Sequence, residues 1–385
     1  MRSRFRYLLI VVCLFAASAV HAEKEQTFHF LTVADIHFTP FMTCRDKHPC
    51  PLIKQLQAVS VEKWPAILEK EEAGMPHYRQ DTNFSLLVSA LQTAKNAAKT
   101  DNAKFVIVLG DFLGHEYRRY YVKYTGDKTA AGYQAFVKKT MTFLTNELAE
   151  TFPSLPIYNV IGNNDSYQAD YSADPHGEFF HDTSYLWSNL LRDKINRADM
   201  QRIFPVAGYY ALTLPQDHLR LIVLNSVLFS DRAKGRRMQE AAEEELNWLH
   251  QELLSVKVHH QKALIAMHIP VSIDVYATIH YRLFRLMELW QTPYIERYEA
   301  ELQQFAPEIA GVLVGHLHTG WFQMLTFNNT DQLPITGTPS ISPVFGNSPG
   351  FKIYTYSSDS RQIENFHIYY YSLSQNTWNV TTSDD

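Results

Sequence analysis

FVIVLGDFLGHE, residues 105–116, carries the pattern that decides the fold. An unbroken apolar run, Phe105 to Leu109, ends in Gly110-Asp111. Short runs of this kind, closed by a glycine, read as buried strands. The pattern recurs on both sides. FHFLTVA leads to Asp35-Ile-His37 and IYNVI to Gly162-Asn163-Asn164-Asp165. ALIAM leads to His268, and GVLV to Gly315-His316-Leu-His318. Open α/β sheets bind ligands beyond the carboxyl ends of their strands, so five such ends point to one shared site. Asp, His and Asn are hard or borderline donors, suited to Mn, Fe, Zn or Mg rather than to soft metals. Asp111 is the only carboxylate of its island and the natural bridge between two ions. A pair of ions about 3.5–4 Å apart supplies the nucleophile and the charge neutralisation that phosphate-ester hydrolysis requires.

In this order, the islands resemble the calcineurin-like metallophosphoesterase superfamily, over about residues 28–320. Three features are similar to its acid-sphingomyelinase-like branch. His115 stands four residues after Asp111, His268 lies in AMHIP, and PGFKIYTYSSDSRQIENFHIYYYSL extends the likeness to about residue 373. Asn164 stands where that superfamily has His, and the GNND so formed resembles endopolyphosphatase-like relatives. The resemblance implies an α/β (α+β) four-layer fold, two facing β-sheets flanked by helices. It also implies two divalent ions, Zn, Mn or Fe. Asp35, His37, Asp111 and His318 would hold one, and Asp111, Asn163, His268 and His316 the other. A bridging hydroxide would attack phosphorus in line with the leaving oxygen. In an extended chain, alternate residues share a side. His316 and His318 therefore need a turn to reach different ions, which Gly315 permits.

His115 has two readings. An imidazole suits proton donation to a leaving alkoxide; alternatively, it only hydrogen-bonds a ligand carboxylate. Asn164 can donate hydrogen bonds to a phosphate oxygen but cannot transfer a proton, or it simply holds its loop. Arg118 and Arg119, with Lys123, lie among Tyr117, Tyr120, Tyr121 and Tyr124. They are expected either to clamp a phosphate or stack on a base, or to form a solvated surface loop. Tyr167, Tyr171 and His176 follow the GNND island and are candidates to wall the cleft, against the alternative of ordinary loop residues.

Residues 1–22 read as a signal peptide: Arg2, Arg4 and Arg6, then LLIVVCLFAASAV, then a cleavage site near Ala22. The apolar run is short of the ~20 residues that span a bilayer. The expected product is secreted or periplasmic, without stable membrane insertion. The segment carries three Arg and no acid, so its removal takes the net charge from −5 to −8. No basic block remains to bind duplex nucleic acid. Cys44 and Cys50 are expected to pair in an oxidising compartment; free thiols are the alternative. Residues 23–385 read as one domain, with insertions at about 38–80 and 112–130. Helices are expected at about 59–72, 83–99, 131–150, 238–255 and within 276–305, and an all-β stretch after His318. The expected function is an exported dinuclear metal-dependent phosphoesterase. Its substrate would be small and phosphorylated: a nucleotide, polyphosphate or phosphodiester. A polyphosphatase or nucleotide phosphatase is the alternative. A binding protein that had lost catalysis would lack a ligand residue, and none is missing.

Overall fold

The computed structural model describes residues 27–44, 47–71, 74–216, 218–274, 278–279, 286–328 and 331–382. The expected signal peptide lies outside them. Three parallel strands come first: β1 (Thr27–Val33), β2 (Val106–Val108) and β3 (Ile157–Asn159). Next come β4 (Tyr210–Thr213), β5 (Arg220–Val223), β6 (Ala263–Met267) and β7 (Ile309–Val314). The chain ends in β8 (Trp321–Phe327), β9 (Asp331–Gly337), β10 (Gly350–Ser357), β11 (Gln362–Ser372) and β12 (Thr377–Thr382). They form two six-stranded sheets, in the orders β12-β11-β10-β1-β2-β3 and β4-β5-β6-β7-β9-β8.

Nine helices are described: α1 (Pro51–Ala58), α2 (Trp64–Glu71), α3 (Phe84–Thr100), α4 (Tyr117–Thr125), α5 (Ala130–Thr151), α6 (Glu178–Ser188), α7 (Lys194–Ile203), α8 (Arg236–Val258) and α9 (Thr292–Phe305). Four of them make the parallel connections: α3 and α5 in the first sheet, α8 and α9 in the second. Of the sequence's helical stripe Phe84, Leu87, Val88, Leu91, Ala94 and Ala98, α3 buries all but Val88, which stays exposed. Its start is fixed by Asn83, whose side chain accepts from the Leu86 N–H at 3.0 Å, an N-cap. β2, β6 and β7 are buried throughout. Strands covered on both faces read as continuous apolar runs for this reason.

The sheets meet through apolar and polar contacts. A Cβ on Gly311 of β7 would lie 2.8 Å from Ile363 of β11. The Thr32 and Thr338 hydroxyls are 2.7 Å apart. Lys352 of β10 crosses to the other sheet, donating to Trp321 O at 3.2 Å and Thr336 Oγ1 at 2.8 Å. Burial pushes this amine from 10.5 down to about 7. Unfolded chain therefore binds one more proton than folded chain between those values, and stability should rise with pH across that window. The rise is bounded at about 4 kcal/mol between pH 7 and 10. Denaturant titrations of wild type and Lys352→Met at several pH values measure it. The stability difference should move toward wild type as pH rises, and a flat difference would show that this lysine stays charged when buried.

Five elements of the chain differ from expectation. Residues 117–125, expected as a loop, form α4, whose Tyr117, Tyr121 and Tyr124 are buried. Their rings pack on Phe41 and Phe136, so the aromatic density serves the core. α1, α6, α7 and β12 were not foreseen, being short elements whose apolar periodicity is interrupted. The Cys44–Cys50 disulfide closes the turn ahead of α1. The Cys50 N–H donates to Tyr124 O at 2.8 Å, tying the first insertion to α4.

Candidate metal centre

The ends of β1, β2, β3, β6 and β7 converge on one buried cluster. Asp35, His37, His268, Asp111, His318 and Asn163 are each at most 5% exposed. The connecting backbone is laced together: Asp35 N donates to Gly110 O at 3.0 Å, His37 N to Asp111 O at 2.9 Å, and Gly315 N to His268 O at 3.0 Å. Asp35, His37, Asp111, His316 and His318 all have positive φ, from 44° to 68°. Such conformations cost on the order of 1–3 kcal/mol each and gather at functional sites. The chain here is therefore not extended. His316 and His318 make the expected turn themselves, and Gly315 serves close approach instead. A Cβ there would lie 3.0 Å from Asp35 Oδ2 and from Leu109 O. Gly162 is tighter still, since its Cβ would fall 2.2 Å from Asp111 Oδ1.

Each donor is aimed by a second contact. His37 Nδ1–H donates to Leu113 O at 3.0 Å and His268 Nδ1–H to Leu109 O at 2.7 Å. Both Nε2 lone pairs then point inward. Asn163 Nδ2 donates to Asp170 Oδ1 at 2.7 Å, which turns its Oδ1 toward His268 Nε2, 3.1 Å away. Asp35 accepts from the His316 N–H at 3.1 Å. Asp111 Oδ2 lies 3.4 Å from His37 Nε2 and 3.2 Å from His268 Nε2.

Three triads bring donor atoms within 4.8 Å of one another: Asp35, His37 and Asp111; His37, His115 and His318; Asp111, His268 and His316. Carboxylate and imidazole together fit divalent ions of the Zn, Mn or Fe kind. Two details favour cations in the cluster. His37 and His318 bring their Nε2 atoms within 3.1 Å, where a proton or a cation bridges them. His318 Nδ1 is buried without a hydrogen-bond partner. The charges agree. Burial disfavours a charged His37, yet Asp111 and Asp35 hold it up at about 10. His268, equally buried, is held at about 9 by Asp111. Burial and the neighbouring His268 push His316 down to about 3. Burial acts against a charged Asp111, but His268 and His37 hold it well below the usual carboxylate range. The cluster thus favours positive charge on both sides of Asp111.

Asn164 is turned onto Asp111, with its backbone N–H donating to Oδ1 and its Nδ2 to Oδ2, both at 2.8 Å. His115 lies at the mouth. Its ring stacks on His37 at 3.9 Å, and its Nδ1 meets Asp81 Oδ1 at 2.9 Å. Asp81 Oδ2 also accepts the His115 backbone N–H at 2.8 Å, and the Ser342 hydroxyl donates to Asp81 Oδ1 at 3.1 Å. Burial works against the Asp81 charge, but His115 outweighs it and lowers its pKa.

The four expected substrate-binding residues have other engagements. Arg118 donates to Gln168 O and lies over Tyr133. Arg119 pairs with Glu116 at the surface. Tyr167 donates to Asp182 at 2.7 Å and packs on Phe179. His176 donates its backbone N–H to Val206 O. Tyr171, also a candidate to wall the cleft, lies beside His316, its hydroxyl 3.5 Å from Nε2, with Arg232 over its ring at 4.9 Å. Sequence reasoning assigned no role to Asp81, Asp165, Asp170, Arg232 or Phe345. Only Asp165 stood inside a motif. Its carboxylate accepts from the N–H groups of Asp111, Phe112, Leu113 and Gly162 and staples the β2 and β3 loops together.

A family model for the calcineurin-like phosphoesterases matches residues 28–320. Sphingomyelinase phosphodiesterase C of Dictyostelium discoideum is 24% identical over 315 residues, which are 78% of this chain and 64% of that protein. Cyclic GMP-AMP phosphodiesterase SMPDL3A of Mus musculus is 24% identical over 308 residues, 77% of this chain and 62% of that protein. The chain thus spans a little under two thirds of the length of these relatives. A solved dimetal phosphatase from Danio rerio aligns over 92% of this chain and 98% of its own, at TM-score 0.49 and 13% identity.

Proposed function

The chain belongs to the calcineurin-like phosphoesterase family, as a metal-dependent phosphoester hydrolase of the acid-sphingomyelinase-like branch, and we propose that it is exported and cleaves phosphodiester or phosphoanhydride bonds of small substrates at a two-ion centre. The observation that carries this is the place of Asp111, within 3.4 Å of His37 on one side and 3.2 Å of His268 on the other. Asp35, His37 and His318 would complete one ion's ligands, and Asn163, His268 and His316 the other's. Two divalent ions supply charge to the phosphoryl oxygens and acidify a water. The protein's own groups do the rest. Asn164 braces Asp111, and His115, positioned by Asp81, gives its Nε2 proton to the leaving oxygen. Tyr171 and Arg232 form the rim on the His316 side, and Arg118, Arg119, Tyr167 and His176 remain candidates for substrate contacts farther out. Residues 23–385 act as one catalytic unit. Export is supported by the basic and apolar pattern of residues 1–22 and by the Cys44–Cys50 pair, since disulfides persist in oxidising compartments. No described helix is long and apolar enough to cross a membrane.

The test is a substrate panel on mature protein loaded with Zn, Mn or Fe: bis-p-nitrophenyl phosphate, ATP, polyphosphate and sphingomyelin. Chelator-sensitive turnover of a diester or anhydride is expected. Absence of turnover of every panel member with every metal would sink the proposal.

A further inference from the structure

Phe345 is the exposed aromatic side chain at the mouth of the cluster. It is 69% exposed, although isolated exposed hydrophobics are common and mean little by themselves. Its position distinguishes it. The ring stands edge-on to His318, with centroids 4.6 Å apart at 70°, and edge-on to His115 at 5.5 Å and 84°. It therefore touches both a ligand-bearing imidazole and the proposed proton donor.

The backbone that carries this ring is fixed. Gly346 N donates to Pro343 O at 3.0 Å, closing a turn around Phe345, and Gly346 has a φ of +85°. Arg79 N donates to the same carbonyl at 3.0 Å. Asn347 Nδ2 donates to Ser340 Oγ and Ser342 O. Ser342 in turn donates its N–H to Asp35 O and its hydroxyl to Asp81. The same Asp81 carboxylate thus holds His115 and the base of the loop that presents Phe345. The ring itself stays 69% exposed above this hydrogen-bonded base.

We infer that Phe345 forms a leaving-group subsite, taking a flat aromatic group such as a nucleobase or an aryl ring attached to the leaving oxygen. The inference rests on the phosphoester-hydrolase proposal and on His115 marking the side from which that oxygen departs. Whatever the oxygen carries is then delivered toward the exposed ring of Phe345. A flat ring stacks there, and base–aromatic stacking is worth about 10-fold in affinity or more. A leaving phosphate has no face to offer.

The experiment compares methyl p-nitrophenyl phosphate with tripolyphosphate on metal-loaded wild type, Phe345→Ala and Phe345→Trp. In Phe345→Ala, the ratio of kcat/KM for the aryl diester over that for tripolyphosphate should fall about 10-fold, mainly through KM. Phe345→Trp should restore it. Calorimetry with AMP and with inorganic phosphate gives a second measure that needs no turnover: AMP should weaken in Phe345→Ala relative to phosphate. Equal losses on both probes, or none, would overturn the subsite. Wild type inactive on both substrates yet binding AMP through Phe345 would defeat the hydrolase proposal and leave the subsite standing.

Discussion

Asp111→Asn should leave a folded protein that turns over phosphodiesters at least about 10³-fold more slowly, and that binds fewer than two metal ions per chain. The expectation follows from what surrounds this carboxylate. His37 Nε2 and His268 Nε2 flank Oδ2, and Asn164 donates one N–H to each oxygen. An amide at this position removes the negative charge that holds His37 and His268 at about 10 and 9 against burial. It also sets an NH2 group against Asn164 or against one of the imidazoles, whichever way it turns. Both ion positions lose their shared anion together, so the loss should not be repaired by excess metal. The measurements are metal content by mass spectrometry and kcat on bis-p-nitrophenyl phosphate, with far-UV circular dichroism confirming the fold. Two ions per chain and wild-type turnover would remove Asp111 from the centre of the mechanism.

The candidate ligands could be picked out because each sits where an apolar run stops. β2 ends at Val108 and Asp111 follows within a few residues; β6 ends at Met267 and His268 follows at once. Strand, glycine and donor are all local in sequence, and the common edge of the sheets supplies the convergence. The groups that aim the donors were not legible. Asp81 precedes α3 in an insertion and meets His115 only through the tertiary fold. Ser342 and Phe345 arrive from a loop between β9 and β10, with no pattern to mark them. The Asp-x-His pair was read as extended and the His-x-His turn was credited to Gly315, but positive φ at both members of each pair bends the chain there. α4 was hidden in another way. Its density of tyrosine and arginine drew attention to ligand contacts, while burial of Tyr117, Tyr121 and Tyr124 follows from the helical period of the segment.

His115→Ala should slow an alkyl phosphodiester about 10²–10⁴-fold, the usual range for general acid catalysis, and a p-nitrophenyl ester or a phosphoanhydride far less. Alkoxides leave poorly without a proton, whereas nitrophenolate and phosphate leave without much help. The geometry supports a donor at this position. Asp81 Oδ1 lies 2.9 Å from Nδ1 and Oδ2 accepts the backbone N–H at 2.8 Å, so Nε2 is the ring nitrogen left to serve a leaving oxygen. Asn164 cannot replace it, because an amide does not transfer protons and its NH2 group is already given to Asp111. The competing role is metal ligation, since His115 also has a donor atom within 4.8 Å of His37 and His318. The two roles separate experimentally. A proton donor gives a rate loss that grows with leaving-group pKa while metal content stays at two ions per chain. A ligand gives an equal loss for every leaving group together with loss of metal. Asp81→Asn should reproduce the first pattern in weaker form, because it keeps the ring in place while removing the charge that sets its tautomer. Its pH profile should shift as the imidazole loses its anionic partner, whereas a merely structural Asp81 would lower the rate without moving the profile. With chemistry confirmed as rate-limiting, equal slowing of all leaving groups by His115→Ala would place His115 among the ligands and leave protonation of the leaving group to solvent.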